Sequence, residues 1–117
     1  MSPKLLIEKM DGVTTLRLTR QLTLDDFLQM LDDIDDGKVT DRRLWDATNF
    51  FDFTAAEIRQ IAARVKKKWP HAERVAFVAA DDLTFGLARM FEAFREEEGF
   101  LTKVFRDEEE ARAWLLA

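Results

Sequence analysis

The sequence predicts a single α/β domain with a mainly parallel sheet and an antiparallel strand at its N-terminal edge. Three observations carry that expectation. The segments Leu44-Trp45-Asp46, Asp82-Leu83-Thr84-Phe85-Gly86-Leu87-Ala88-Arg89-Met90 and residues 104–115 each pass from a strand-like run into a helical period. Residues 74–80 are almost continuously apolar, as a central parallel strand covered on both faces must be. Asp11-Gly12 stands between two strand-like runs, and a two-residue hairpin turn selects such a pair because both central residues need positive φ.

Each element follows from its own local pattern. Residues 4–10 and 13–19 form the hairpin. From Thr23 the period changes: Thr23 is an N-cap, Asp25 and Asp26 make an acidic first turn, and Leu24, Phe27, Leu28, Leu31 and Ile34 share one helical face. Gly37 is expected to end that helix. Residues 43–47 read as the next strand and 48–53 as an aromatic-rich loop. Thr54-Ala55-Ala56-Glu57 is a capping box that opens a helix with Ile58, Ile61, Ala62, Val65 and Trp69 on its apolar face. Arg64, Lys66, Lys67 and Lys68 suit its C-terminus, and Pro70 stops it. After the strand at 74–80, Asp81 or Asp82 caps a third helix whose buried stripe is expected to be Leu83, Leu87, Met90, Phe91 and Phe94, with Gly99 ending it. A last strand at 101–106 leads through Asp107 and Glu108-Glu109-Glu110 into a helix bearing Ala111, Trp114 and Leu115. The resulting order, β-β-α-β-α-β-α-β-α, implies right-handed crossovers.

Composition narrows the function. With 117 residues, 47% of them apolar, the chain fits one domain spanning residues 1–117. A net charge of −5 argues for a soluble protein and against nucleic acid or anionic membrane surfaces, which require a basic face. No apolar run approaches a membrane span, and residues 1–9 are charged and strand-like rather than a signal peptide, so a cytoplasmic location is expected. The chain has no cysteine and no tyrosine, one histidine (His71) and one serine (Ser2, at the terminus), so nucleophilic triads lack their parts. We therefore expect no enzyme, no cofactor and no metal. Asp32-Asp33-Ile34-Asp35-Asp36-Gly37 has the look of a calcium loop, but Ile34 takes the third ligand position and Arg43 the twelfth, where a bidentate glutamate is required.

The element order, together with Leu44-Trp45-Asp46, Val75-Ala76-Phe77-Val78-Ala79, Phe85-Gly86-Leu87-Ala88-Arg89-Met90 and Ala111-Arg112-Ala113-Trp114-Leu115, resembles the SpoIIAA-like branch of the STAS superfamily. The resemblance covers nearly the whole chain. It implies a four-turn β-α superhelix with an extra N-terminal strand, and relatedness to anti-sigma-factor antagonists and, more distantly, to Sec14-type lipid-binding domains. In antagonists the turn into the second helix carries Asp-Ser-Ser-Gly-Leu, whose second serine is phosphorylated by a partner kinase. Here the corresponding residues are Asp52-Phe53-Thr54-Ala55-Ala56, which keep an acid and a hydroxyl and change the rest.

Ligands of open parallel sheets approach the carboxyl ends of the strands. That rule selects Arg20, Asp46, Thr48, Asp81, Asp82, Arg106 and Asp107, although loop polarity and capping explain several of them equally well. Gly86 costs a helix about 1 kcal/mol relative to alanine, which suggests a close approach by a partner, a ligand or a neighbouring backbone. Phe85 and Arg89 flank it as an anchor for such a contact; the plainer reading is that Phe85 covers the sheet edge. Phe50, Phe51 and Phe53 in a six-residue loop must cover the core, line a pocket or pack in an interface.

The leading expectation is a non-enzymatic regulatory module that binds a protein partner or small ligand, with Asp46, Thr48, Phe51, Phe53, Asp82, Phe85, Gly86 and Arg89 as candidates. A homodimer is one form of it, the acidic first helix facing the basic end of the second. The alternatives are an antagonist-like switch phosphorylated at Thr54, a carrier of a small amphipathic or lipid-like ligand, and an enzyme using Asp46 and Asp81 as acid and base, with Asp46, Asp52, Asp81 and Asp82 converging on Mg2+ as a remoter variant. Neither nucleic acid nor membrane insertion is expected.

Overall fold

In the computed structural model, which describes residues 4–97 and 101–117, Asp11 and Gly12 adopt φ values of 55° and 81°. They turn strand β1 (Leu5–Met10) back along β2 (Val13–Leu18) in antiparallel register. The remaining strands, β3 (Arg42–Asp46), β4 (Arg74–Val78) and β5 (Thr102–Phe105), join in parallel, giving the spatial order β1-β2-β3-β4-β5. β1 is thus the antiparallel edge that the hairpin sequence predicts, and β4 lies between two parallel neighbours. Four helices connect or follow the strands: α1 (Leu24–Asp33), α2 (Ala55–Lys68), α3 (Asp82–Glu97) and α4 (Glu108–Leu116).

Alternation along the strands divides the interior into two layers. Leu16, Leu18, Trp45, Val75, Phe77 and Val104 face α1, α2 and α3 in the larger core. Val13, Leu44, Ala76, Val78 and Phe105 face the opposite way, onto Ala111 and Leu115 of α4. One helix covers this second face, and it packs on β3, β4 and β5.

The caps form as the local chemistry requires. Thr23 accepts the Asp26 N–H at the start of α1. At α2 both halves of the capping box are present: Thr54 Oγ1 accepts the Glu57 N–H, and Glu57 Oε1 accepts the Thr54 N–H. Asp81, rather than Asp82, caps α3 by accepting the Thr84 N–H at 2.9 Å. Asp107 caps α4 through the Glu109 N–H.

Two expectations need correction. Gly37 does not end α1; the helix stops at Asp33, and Gly37 sits in a separate 3-10 turn (Asp36–Lys38) capped by Asp35. The acidic residues there are also engaged within the chain, Asp32 with Arg64 at 2.5 Å and Asp36 with Lys68 at 3.0 Å. The stripe on α3 is rotated: Thr84, Ala88, Phe91 and Arg95 are the buried positions, Leu87, Met90 and Phe94 are half-buried at its border, and Leu83 is 58% exposed. The expected helix end at Gly99 lies outside the described residues.

Phe91 and Leu83 therefore report the phase of α3. Phe91→Ala should cost about 3–5 kcal/mol in urea unfolding, as for other buried rings. Leu83→Ala should change stability by less than about 0.5 kcal/mol. Equal losses at the two positions would contradict this phase.

Candidate functional site

The carboxyl ends of the parallel strands carry two polar clusters, one on each side of the sheet. The first lies on the α4 side. Arg17 stands beside Asp46 in the β2–β3 register and pairs with its carboxylate. Its other terminal nitrogen reaches Glu108 Oε1 at 2.9 Å, tying the sheet to the first turn of α4. Arg112 extends the chain of contacts, approaching Glu108 at 3.4 Å and donating to Thr15 Oγ1 at 2.8 Å. The free oxygen of Asp46 accepts the Thr48 N–H at 3.2 Å, so this carboxylate also shapes the loop after β3. Burial pushes the Glu108 carboxyl up, but the guanidinium groups of Arg17 and Arg112 outweigh it and hold the group below its ordinary value.

The second cluster surrounds the start of α3. Thr48 Oγ1 accepts the Ala80 N–H at 3.2 Å, joining the loops that follow β3 and β4. Asp81 accepts from Thr84 N–H and, at 2.8 Å, from Asn49 N–H, where Asn49 sits in the left-handed region with φ 67°. Burial alone would raise the Asp81 carboxyl; those backbone donors overcome it and lower the group instead. Arg106, following β5, reaches Asp82 at 2.6 Å and the Ala80 carbonyl at 3.2 Å. Its guanidinium lies 4.2 Å from the centre of the Phe85 ring, close enough for a cation–π contact.

The predicted site residues thus separate by depth. Asp46 and Thr48 are half-buried and structural in their bonding. Phe51 and Phe53 are interior, 1% and 6% exposed, and Phe50 packs half-buried against the same core. Phe51 also helps line a small aromatic cavity of ≈ 10 Å³ with Phe27, Trp45, Phe77 and Phe91. Phe85 is half-buried beneath Arg106, whereas Asp82, Gly86 and Arg89 are exposed. Arg89 approaches Glu92 at 3.5 Å along the helix. A Cβ added at Gly86 would meet nothing within 4 Å, so no neighbouring segment of the chain presses on it. Thr54 is exposed, with its hydroxyl committed to the α2 cap. Arg20 is exposed and joins neither cluster among the described residues.

Sequence reasoning missed Arg17 and Leu83. Alternation along β2 places Arg17 with Val13 and Thr15 on the α4 face, and that period was the available signal. Leu83 gave none, because an apolar residue in the first turn of a helix reads as core. Arg43 was also passed over. It is buried at the start of β3, donates to the Thr40 and His71 carbonyls, and lies over the Trp69 ring; burial lowers its pKa to about 10. Among the described residues no group of three or more metal-ligating side chains converges, and no helix is long and apolar enough to cross a membrane.

Comparison with known proteins agrees with this architecture. A search of curated protein sequences finds no significant match. Among solved structures the chain is similar to the crystal structure of an anti-sigma factor antagonist from Mycobacterium paratuberculosis, with a TM-score of 0.65 and 14% identity over 97% of this chain and 93% of that one. The likeness is one of fold, the STAS type. The family model described as SpoIIAA-like matches residues 13–116, from the first residue of β2 to the end of α4. The chain belongs to the SpoIIAA-like family.

Proposed function

We propose that this SpoIIAA-like chain is a regulatory module that works by binding a protein partner on the outer face of α3, without catalysis. The observation that carries the reading is Gly86. Glycine in a helix interior costs about 1 kcal/mol against alanine, and here the space a methyl group would fill is open. Nothing inside the chain accounts for the missing side chain, so the reason is sought in a partner that lies close against the helix backbone. Leu83, one turn earlier, is 58% exposed, and Arg89 and Ala93 continue the same exposed side. Asp82, Arg106 and the Phe85 ring form a charged and aromatic rim at the N-terminal end. An exposed apolar side chain with an arginine and an aromatic beside it has the makeup of a protein contact.

The other candidates support this surface from below. Asp46, Thr48 and Asp81 set the loops that carry α3, and Phe51 and Phe53 fill the core beneath. Two buried or bonded carboxylates are poor acid and base when their oxygens already accept hydrogen bonds. The aromatic cavity, at ≈ 10 Å³, has room for about one water, so carriage of an apolar ligand would require the helices to part. A phosphate on Thr54 would break a formed cap and stand beside the Glu57 carboxylate. The similar solved structure is described as an anti-sigma factor antagonist, which favours a protein regulator as the partner class.

Gly86→Ala should raise unfolding free energy by about 0.5–1 kcal/mol while weakening partner binding. The partner itself is sought by affinity capture from the native host, using the wild-type chain beside Leu83→Glu and Gly86→Trp baits of matched melting temperature. Proteins held by the wild type should be lost from both variant baits. Retention of the same proteins by both variants would overturn the assignment to α3.

A further inference from the structure

We infer that β1 is the interface of a homodimer, in which a second copy lays its own β1 antiparallel along the free edge with Ile7 on the two-fold axis. β1 is the first strand of the sheet and pairs with β2 alone. The Thr19 N–H donates to the Lys4 carbonyl at 3.2 Å. Alternation from that pair along an antiparallel ladder makes Leu6–Arg17, Glu8–Thr15 and Met10–Val13 the other hydrogen-bonded pairs. Leu5, Ile7 and Lys9 therefore turn their backbone N–H and C=O groups outward, as a template for another strand. Leu6, Ile7 and Met10 are 45%, 38% and 61% exposed, an apolar density that an isolated edge strand has no use for.

The two-fold selects its own register. With Ile7 opposite Ile7, Leu5 faces Lys9 of the second copy, and all three outward residues can bond. Shifting the axis to Leu6 carries Lys9 past the start of the second copy's β1 at Leu5, so its outward groups meet no strand residue. Shifting it to Glu8 sets two like carboxylates directly opposite each other.

The surface beside β1 suits the same partner. Leu5, Ile7 and Lys9 pair with Leu18, Leu16 and Thr14, which places them on the face that α1 covers. Between β1 and α1 runs an open groove of ≈ 430 Å³ whose walls include Leu5, Ile7, Met30 and Ile34 and whose rim carries Asp33 and Asp35 together with Lys4 and Lys38. Among the described residues neither aspartate forms an ion pair, and neither does Lys9. In the Ile7 register, Lys9 of the second copy arrives beside Leu5 at this mixed rim, within range of the aspartates that lack an ion pair, twice by symmetry. A second copy thus matches this edge in backbone bonding and in apolar surface. The edge lies across the sheet from β5, on which α3 packs, so this contact leaves the α3 face free.

The test uses sedimentation velocity and the absence of native cysteine. Wild-type chain should sediment as a dimer with rising concentration. Ile7→Pro should be monomeric with an unchanged circular dichroism spectrum, because the N–H it removes points outward and the β1–β2 bonds survive. Independently, Ile7→Cys should form an intermolecular disulfide about tenfold or more faster than Met10→Cys, since paired Cα atoms at the axis lie about 5.5 Å apart, within disulfide reach. The two Met10 positions stand about 20 Å apart in this register. Wild-type chain that stays monomeric up to about 1 mM, beyond the range of even weak interfaces, would overturn the inference, as would Met10→Cys cross-linking as fast as Ile7→Cys.

Discussion

The Phe51 ring is the contact on which the arrangement of helices rests. It packs against Phe27 of α1 at 6.1 Å, Phe77 of β4 at 5.1 Å, Phe91 of α3 at 6.3 Å and Phe53 of its own loop at 5.2 Å. Edge-to-face packing of this kind adds about 0.5–1.5 kcal/mol per pair to the burial of the rings. A loop residue thereby holds three separate elements in register. The six-residue loop can afterwards enter α2 only at Thr54, where the capping box fixes the direction of the helix. The aromatic content of this loop is an interior requirement, and it leaves the outer surface to other residues.

With the interior closed by Phe51, the chemistry of the chain is displaced to its rim. The carboxylates at the strand ends are spent on architecture: Asp46 on Arg17 and the Thr48 N–H, Asp81 on two backbone donors, Glu108 on two arginines. Each holds a loop or helix start in place, which is what a rigid binding surface needs. Among the described residues, exposed large apolar side chains stand on the outer side of α3 and on β1, and singly at Leu101 and Leu116. Gly86 and Leu83 mark the first. Leu6, Ile7 and Met10 mark the second.

The sequence made the local decisions legible. Asp11-Gly12, the capping box at Thr54 and the acidic turn after Asp107 all appear where residue chemistry places them, because their partners lie within three or four residues. The phase of α3 was not legible. Leu83, Leu87, Met90, Phe91 and Phe94 span so wide an apolar arc that periodicity alone fits more than one facing, and the true facing buries Arg95 and Thr84 while exposing Leu83. Which side meets the sheet is decided by Phe51 and Phe77, residues far off in sequence. For the same reason, the sequence showed three phenylalanines that needed covering without showing that the helices around them supply the cover. At the candidate site, Asp82, Gly86 and Arg89 were legible as exposed positions, whereas the Arg106–Phe85 contact depends on the pairing of β5 with β4 and has no local signature.

A protein partner docked on the outer face of α3, over an undisturbed aromatic interior, has a residue-level signature. Hydroxyl-radical footprinting of the chain alone and in its complex addresses it residue by residue. Leu83, Phe85 and Met90 should lose reactivity on binding while Leu116, exposed on α4, keeps its own. Unchanged reactivity at Leu83, Phe85 and Met90, with protection arising on another face or with the interior rings Phe27 and Phe51 becoming reactive, would contradict it.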